Sequence, residues 1–215
     1  MRIGVFSDAH GNEAGFNTCY EYLVGEVDVI YYLGDAVGYF PLSNQIIDTL
    51  RLHNIECLKG NHDAMILGEL QYDDEREEIY QVKKSAKAIS EQNLNFLKKL
   101  PGEKKVNIDN RKLLFVHGSP LDTLNGYVYP DSDISTFEDM PYDVIFMGHT
   151  HRPFIKKTAK KKIVNVGSCG LPRDMGNKLT VAIYNTVTDE ATLKEFSMDV
   201  NAVINIYEPD RKSVV

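Results

Sequence analysis

Five short polar clusters interrupt the chain, and each follows directly after an apolar, β-branched run that is typical of a buried strand. Five of the six histidines lie in these clusters. The runs are residues 3–6, 29–33, 55–58, 113–116 and 144–147. The clusters are Asp8-Ala9-His10, Gly34-Asp35, Gly60-Asn61-His62-Asp63, His117-Gly118 and Gly148-His149-Thr150-His151. Because the carboxyl ends of parallel strands meet at one edge of an α/β sheet, we expect the clusters to form a single site.

The first third of the chain alternates between strand and helix patterns. Asn12 is a candidate N-cap for a first helix, and Ser43 is a candidate N-cap for a second. The apolar positions of the first helix recur at helical spacing: Phe16, Cys19, Tyr20 and Leu23. This β-α-β-α-β order predicts right-handed crossovers and a parallel sheet.

Residues 64–100 have a different pattern, with acidic and then basic side chains and no strand periodicity. We predict a helical segment, in which Ser90 caps a last helix, Leu94 and Leu97 face inward, and Pro101 ends it. A solvated helix face is the preferred interpretation of the charges, over a role in binding a substrate or a partner.

The second half is rich in strands. Asp109-Asn110 is a two-residue turn signal between apolar runs, which predicts a hairpin. A short strand over 163–166 and a final hairpin within 179–196 follow. Together these patterns predict an α/β fold with two packed mixed β-sheets flanked by helices, in one domain over residues 1–215.

Composition limits the partners of the chain. Its 215 residues carry a net charge of −7, which argues against broad electrostatic binding to nucleic acid and favours a small partner. Three cysteines without close spacing make a disulfide framework unexpected and favour a reducing compartment. The N-terminus enters a strand at once, and no apolar run is long enough to span a bilayer, so we expect a cytoplasmic protein.

Aspartate, histidine and asparagine together are ligands that divalent transition metals prefer. The clusters hold more such groups than one ion needs, which points to a two-metal centre with ions roughly 3.5–4 Å apart. Such a centre lowers the pKa of a bound water and makes hydroxide near neutral pH. In the pairs Asp8-x-His10 and His149-x-His151, extended backbone would point both side chains the same way.

The five clusters, in this order and each after a strand, resemble the signature of the calcineurin-like metallophosphoesterase superfamily, in its small single-domain microbial phosphodiesterase branch. The resemblance covers residue 3 to about residue 174. It implies two divalent ions, with manganese, iron, nickel and zinc all open, and Asp35 as the ligand that bridges them. One ion would be held by Asp8, His10, Asp35 and His151. The other would be held by Asp35, Asn61, His117 and His149.

The resemblance also implies roles beyond the metal ligands. His62 matches the non-ligand histidine that faces the substrate and stabilises or protonates the leaving oxygen, and Asp63 would orient it through a hydrogen bond. The segment 167–174 resembles a loop whose arginine, here Arg173, lies near the phosphate. The alternative for Arg173 is a surface pair with Asp174.

We therefore expect a phosphodiesterase in which a metal-bridging hydroxide attacks a small or nucleotide-type phosphoester. A dinucleoside polyphosphate hydrolase, a phosphomonoesterase and a non-catalytic protein-binding scaffold stay open, although an intact His62 and a complete ligand set disfavour the scaffold. Protein serine/threonine phosphatases of the superfamily carry arginines after the second and third clusters. Here those places read Ala36-Val37-Gly38 and Ala64-Met65, which disfavours a phosphoprotein substrate.

Three other features of the sequence are not assigned to the site. His53 has no partner motif and is expected to be structural or exposed. Cys169 has no spare histidine beside it to act as a base, so we reject it as a nucleophile. A lysine group is interpreted as a solvated turn in preference to a grip on polyphosphate or nucleic acid. Its members are Lys156, Lys157, Lys160, Lys161 and Lys162.

Overall fold

The structure is a computed structural model that describes residues 1–207, and its centre is a pair of five-stranded β-sheets. The strands are β1 (Arg2–Phe6), β2 (Val29–Tyr32), β3 (Glu56–Cys57), β4 (Glu103–Ile108), β5 (Arg111–Val116), β6 (Val144–Met147), β7 (Phe154–Lys157), β8 (Lys162–Asn165), β9 (Lys178–Asn185) and β10 (Glu190–Ser197). The α-helices are α1 (Glu13–Glu26), α2 (Ser43–Leu52), α3 (Asn61–Ile66), α4 (Glu77–Tyr80), α5 (Val82–Ala88), α6 (Glu91–Lys99) and α7 (Val200–Tyr207). Short 3₁₀ helices span Asp74–Arg76 and Ser135–Phe137.

Both sheets are mixed, as predicted. The first has the order β10-β9-β1-β2-β3, in which β1, β2 and β3 are parallel and β9 and β10 are antiparallel. The second has the order β4-β5-β6-β8-β7, in which β5, β6 and β8 are parallel. Strand β7 lies outside the predicted strands and pairs antiparallel with β8. That residues 1–215 form one domain stays a prediction.

Aromatic side chains from both sheets fill the space between them. The Tyr31 ring of the first sheet stacks on Phe115 of the second, with ring centroids 4.1 Å apart. Phe115 stacks in turn on Phe146 at 5.0 Å, and Phe146 meets the Tyr184 ring edge-on at 5.9 Å. Phe115 and Phe146 are fully buried. This shared core holds the two sheets in one relative position.

Helix caps decide where the outer helices begin. The Asn12 side chain accepts a hydrogen bond from the Gly15 N–H at the start of α1, and Ser90 does the same for Asn93 at the start of α6, so both predicted caps are confirmed. The predicted cap Ser43 is wrong. The chain turns into α2 one residue earlier, at Leu42, which leaves the buried Ser43 hydroxyl without a partner.

The predicted helical segment over 64–100 is confirmed as a series of short helices. Leu97 is buried as expected, but Leu94 is only half-buried because Asn93 occupies the inward position. The Asn93 amide donates to the backbone and side-chain oxygens of Asn44, at 3.3 and 3.0 Å, so this inward polar group ties α6 to α2.

The hairpin between β4 and β5 turns on Asp109 and Asn110, as the sequence predicts. Both residues are left-handed, with φ of 50° and 61°, which matches the twist of a two-residue hairpin. The Asp109 carboxylate also accepts a hydrogen bond from the Thr186 hydroxyl at 2.6 Å, just after β9. The turn therefore ties the second sheet to the first.

Interpreting the whole lysine group as a solvated turn is wrong. Lys161 is buried and donates to the backbone oxygens of Phe137 and Met140, at 2.6 and 2.7 Å. Lys162 pairs with Asp189 at 2.6 Å. A buried ammonium needs such acceptors, and here they fasten the turn between β7 and β8 to the segment that covers the outer face of the second sheet.

Two further expectations concern the cysteines and membrane-spanning segments. Cys19, Cys57 and Cys169 are all free and buried. No helix within residues 1–207 is both long enough and apolar enough to cross a bilayer.

We expect Phe115→Ala to lower the free energy of unfolding by about 3–5 kcal/mol, because it removes a fully buried ring from the stack between the sheets. Urea unfolding followed by circular dichroism measures this change. The control is Val187→Ala, whose side chain is 77% exposed and whose change should stay within about 0.5 kcal/mol. Equal effects of the two variants would contradict the shared core.

Candidate metal centre

The predicted site residues converge at the carboxyl ends of β1, β2, β3, β5 and β6. All nine cluster residues that carry the predicted chemistry are buried, with at most 6% of each exposed. They are Asp8, His10, Asp35, Asn61, His62, Asp63, His117, His149 and His151. The expectation of a single site is therefore confirmed in geometry.

One half of the site is built around two histidine nitrogens. His10 Nε2 and His151 Nε2 lie 3.1 Å apart. Asp8 Oδ1 is 3.2 Å from His151 Nε2 and 3.8 Å from His10 Nε2. Asp35 Oδ2 is 3.5 Å from His10 Nε2. These four residues form the first predicted ligand set.

The other half gathers the remaining predicted ligands. His117 Nε2 lies 2.9 Å from Asn61 Oδ1 and 3.4 Å from Asp35 Oδ2. The His149 ring is 5.0 Å from the His117 ring, measured between centroids. Asp35 Oδ2 therefore lies within 3.5 Å of a histidine nitrogen in each half, which is the position that a bridging ligand needs.

Backbone carbonyls orient three of the histidines. A carbonyl can only accept, so each of these Nδ1 atoms carries a hydrogen and each Nε2 faces the site. The pairs are His10 Nδ1 with Val37 O at 3.0 Å, His117 Nδ1 with Leu33 O at 3.1 Å, and His151 Nδ1 with Leu171 O at 2.5 Å.

The donor atoms fit divalent metal ions. Asp8 Oδ1 and His149 Nε2 are buried and make no hydrogen bond, and the lone pairs of His10 and His151 face each other. Buried acceptors that converge in this way repel one another unless a cation lies among them. Imidazole nitrogens with carboxylate and amide oxygens are ligands of divalent transition metals.

Burial and neighbouring charges keep most of these groups deprotonated, which is the form that binds a metal ion. Burial alone would raise the pKa of Asp35, but the nearby His117 and His62 outweigh it and hold that pKa well below its usual range. Burial lowers the pKa of His149 to about 4. Burial also acts to lower the pKa of His117, but the Asp35 and Asp8 carboxylates raise it to about 9. Metal binding would displace that proton.

Five of the predicted ligands have left-handed backbone: Asp8, His10, Asp35, His149 and His151, with φ of 61°, 49°, 59°, 65° and 57°. Each such residue costs roughly 1–2 kcal/mol. The expectation that extended backbone aligns the pairs Asp8/His10 and His149/His151 is therefore wrong. The side chains converge because the chain turns sharply where the strand ends.

Glycine is required at two positions of the site. A Cβ on Gly60 would lie 2.1 Å from Asp35 Oδ1, and a Cβ on Gly148 would lie 2.5 Å from Asp8 Oδ2. Both distances are shorter than any real contact. Each glycine therefore allows the backbone to approach a buried carboxylate.

The hydrogen bond expected from Asp63 to His62 is not observed. Its carboxylate accepts hydrogen bonds from the backbone N–H groups of Gly60 at 2.9 Å, Asp35 at 2.8 Å and Ala36 at 3.2 Å. His62 Nδ1 has no hydrogen-bond partner. Asp63 therefore braces the loop that carries Asp35 and does not hold the His62 ring.

His62 itself lies beside the first half of the site. Its ring centroid is 4.8 Å from that of His10, 5.2 Å from Tyr39 and 4.8 Å from Tyr80. Its backbone N–H donates to Asp35 Oδ1 at 2.8 Å. Burial lowers the pKa of His62, against the opposing effect of Asp35. One potential ligand atom from each of His62, His10 and Asp35 lies within 4.8 Å of the other two, so the three could hold one ion together. The non-ligand role of His62 therefore stays a prediction.

Arg173 lies at the rim of the same site. Its guanidinium donates to the Tyr39 hydroxyl at 2.7 Å, and Tyr39 in turn packs against the His10 ring at 4.7 Å. Within residues 1–207 no ion pair joins Arg173 to Asp174, so the surface pair is not observed. Sequence reasoning missed Tyr39, which no motif marks.

His53 and Cys169 are not part of the predicted site. His53 is exposed beside the Tyr20 ring, at 5.4 Å between centroids, as expected. Cys169 is fully buried, and burial raises its pKa well above the usual range, so its thiol is not a nucleophile.

Comparisons with known proteins agree with this fold and site. Residues 1–189 match the family described as the calcineurin-like phosphoesterase superfamily domain. An uncharacterized protein of Methanocaldococcus jannaschii is 31% identical over 204 residues, which cover 85% of this chain and 82% of that protein. A phosphodiesterase of the same organism is 25% identical over 172 residues, which cover 79% of this chain and 84% of that protein.

A solved structure shares the fold. The crystal structure of a metallophosphoesterase from Sphaerobacter thermophilus has a TM-score of 0.79 and 24% identity, and the match covers 97% of this chain and 93% of that one. The family match and the buried Asp/His groups support a phosphoester hydrolase with a candidate metal site as the class. The chain belongs to the calcineurin-like phosphoesterase superfamily, which confirms the resemblance and the two-sheet fold.

We expect Asp63→Asn to weaken metal binding by about 10- to 100-fold, because an amide offers one acceptor oxygen to three backbone donors and sets its own NH₂ against them. Metal content after dialysis against buffered metal measures this loss. Asp174→Asn, an exposed change of the same chemistry, is the control. A variant that loses turnover but keeps full metal affinity would return Asp63 to the role of orienting His62.

Proposed function

We propose that this protein is a phosphodiesterase that uses two divalent metal ions and acts on a small or nucleotide-type diester. The position of Asp35 Oδ2 between His10 and His117 carries the proposal, because a single carboxylate oxygen shared by two ligand sets supports a dinuclear centre. One ion would be held by Asp8, His10, Asp35 and His151. The other would be held by Asp35, Asn61, His117 and His149.

Bound divalent ions supply Lewis acidity to the phosphoryl group and lower the pKa of an attacking water. The chain holds the predicted ligand side chains in fixed orientations. Carbonyls lock the tautomers of three histidines, and Asp8 Oδ2 accepts the His149 backbone N–H at 3.1 Å, which couples the two halves. Burial keeps bulk water away from the ligands and strengthens their electrostatic effect. Manganese, iron, nickel and zinc all suit this donor set.

His62 is suited to act on the leaving oxygen. Its ring lies at the side of the first ligand set, and its Nδ1 is buried without a partner. Burial lowers its pKa, which favours a neutral ring that donates one N–H to the developing charge. Protonation of the leaving oxygen is the stronger form of the same role.

Charge at the site favours a diester over a monoester. The residues after Asp35 and Asp63 are Ala36 and Ala64, which are buried and cannot grip a phosphomonoester dianion. Arg173 is held at the rim by Tyr39 and can bind one phosphate oxygen. The relative named as a phosphodiesterase supports the same choice. A cytoplasmic location also stays a prediction.

The test is a hydrolysis screen of purified protein with each of the four metals, comparing diesters, monoesters and dinucleoside polyphosphates. We expect metal-dependent hydrolysis with the highest kcat/KM on diesters. Asp35→Asn should lose both metals and the activity, whereas His151→Ala should lose mainly one metal. Full retention of two metals in the Asp35 variant would contradict the assignment of Asp35 as the bridging ligand. Absence of hydrolysis with every metal would favour a non-catalytic scaffold.

His62→Ala should keep the metal content and lose about 10²–10⁴-fold in turnover on a diester with a poor leaving group. An activated aryl ester should hide the defect, because its leaving group departs with little need of a proton. Elemental analysis and kcat on both substrates provide the measurement. Equal losses on the two substrates would contradict proton donation and leave electrostatic stabilisation as the role.

A further inference from the structure

We propose that Tyr127 and Tyr129 form a platform beside the metal centre that binds the nucleobase of a nucleoside phosphodiester. We call these two residues the tyrosine platform. The inference rests on the proposed function, since it names the substrate class of the same site. It assigns specificity to residues that lie outside every cluster marked by the sequence.

The tyrosine platform begins directly at a predicted metal ligand. The Tyr127 ring lies 4.2 Å from the His149 ring, measured between centroids. The Tyr129 ring lies 5.8 Å from that of Tyr127, and the two ring planes are 14° apart, so the rings stack on each other. The Arg152 guanidinium lies 5.9 Å from the Tyr129 ring centroid. A stacked aromatic pair with a cation beside it therefore adjoins the predicted ligand His149.

Local sequence explains why both rings face the same way. Val128, between them, is 4% exposed and packs into the cluster on the outer face of the second sheet. Exposure alternates along this segment, with the two tyrosines on the side away from the buried Val128. Tyr127 is 54% exposed and Tyr129 is 38% exposed. These two large rings thus offer uncovered surface next to a buried polar site.

Hydrogen bonds hold the loop that carries the tyrosine platform. The Gly118 N–H donates to Thr123 O at 2.7 Å, and the Ser119 N–H donates to Asp122 O at 2.8 Å. The Tyr129 N–H donates to the Ser132 hydroxyl at 2.9 Å. A platform that is already in place loses little freedom when a ligand binds, which favours affinity.

A second aromatic pair contacts the His10 and His62 rings. It comprises Tyr39 and Tyr80, whose ring centroids are 5.4 Å apart. Arg173 donates to the Tyr39 hydroxyl at 2.7 Å, and Arg76 donates to the Tyr80 hydroxyl at 2.9 Å.

Both aromatic pairs therefore contact predicted ligands of the site, Tyr127 at the His149 ring and Tyr39 at the His10 ring.

This combination fits a nucleoside ester better than an aliphatic one. A base that stacks on an aromatic side chain gains about 1–3 kcal/mol, and a guanidinium adds attraction to the ring. Arginines at the rim suit the negative phosphate, although the chain as a whole carries a net charge of −7. A nucleoside diester presents both features, with one sugar between its phosphate and its base.

The kinetic test compares two diesters with the same leaving group: the p-nitrophenyl ester of thymidine 5′-monophosphate, and methyl p-nitrophenyl phosphate. We expect wild-type protein to prefer the nucleoside ester in kcat/KM. Tyr127→Ala or Tyr129→Ala should reduce that preference by about 5- to 150-fold, which corresponds to 1–3 kcal/mol. Tyr127→Phe and Tyr129→Phe should keep it, because a phenyl ring still stacks.

Leu121→Ala is the matched control, since it changes a 70% exposed side chain near the start of the same loop without touching a ring. It should leave the preference as in the wild type. An equal kcat/KM for the two esters, or a preference that neither alanine variant reduces, would overturn the tyrosine platform.

A binding measurement separates this inference from the proposed function. Calorimetric titration with thymidine 5′-monophosphate and with 2-deoxyribose 5-phosphate compares a ligand that carries the base with one that has a hydroxyl in its place. We expect tighter binding of the nucleotide, and loss of that advantage in the Tyr127→Ala/Tyr129→Ala double variant. Base-dependent binding without hydrolysis of either ester would support the platform and overturn the phosphodiesterase. Equal affinities for the two ligands would overturn the platform, whatever the activity.

Discussion

The placement of one buried carboxylate, that of Asp35, organises the site. An ionised group in a dry interior is stable only when donors or cations surround it. Asp35 Oδ1 accepts the His62 backbone N–H, and Oδ2 faces nitrogens of His10 and His117. The loop that carries Asp35 is itself held by three hydrogen bonds to Asp63. The cluster after β3 therefore secures the predicted ligand after β2.

The two sheets make complementary contributions to this arrangement. Asp8 and Asp35 follow strands of the first sheet, whereas His117 and His149 follow strands of the second. The stacked aromatic core between the sheets therefore sets the distance between these carboxylates and the His117 and His149 imidazoles. Left-handed backbone at several predicted ligands adds local strain, which a well-packed support can sustain and which is common at functional sites.

In the proposed function, specificity comes from the rim and reactivity from the buried centre. The predicted ligands lie on turns next to strands, where packing restricts their movement. Tyr39 and Tyr127 lie on connecting segments and contact the rings of His10, His62 and His149. Such segments vary without disturbing a core.

The sequence by itself determined the strand runs, the caps at Asn12 and Ser90, the hairpin at Asp109 and the set of metal-binding residue types, because periodicity, capping and turn chemistry are local. Only the tertiary structure decided which partners the polar groups find. Asp63 accepts from backbone 28 residues away, and Lys161 donates to carbonyls 24 and 21 residues away. Such partners depend on which segments the packed sheets bring together, and no local pattern records that.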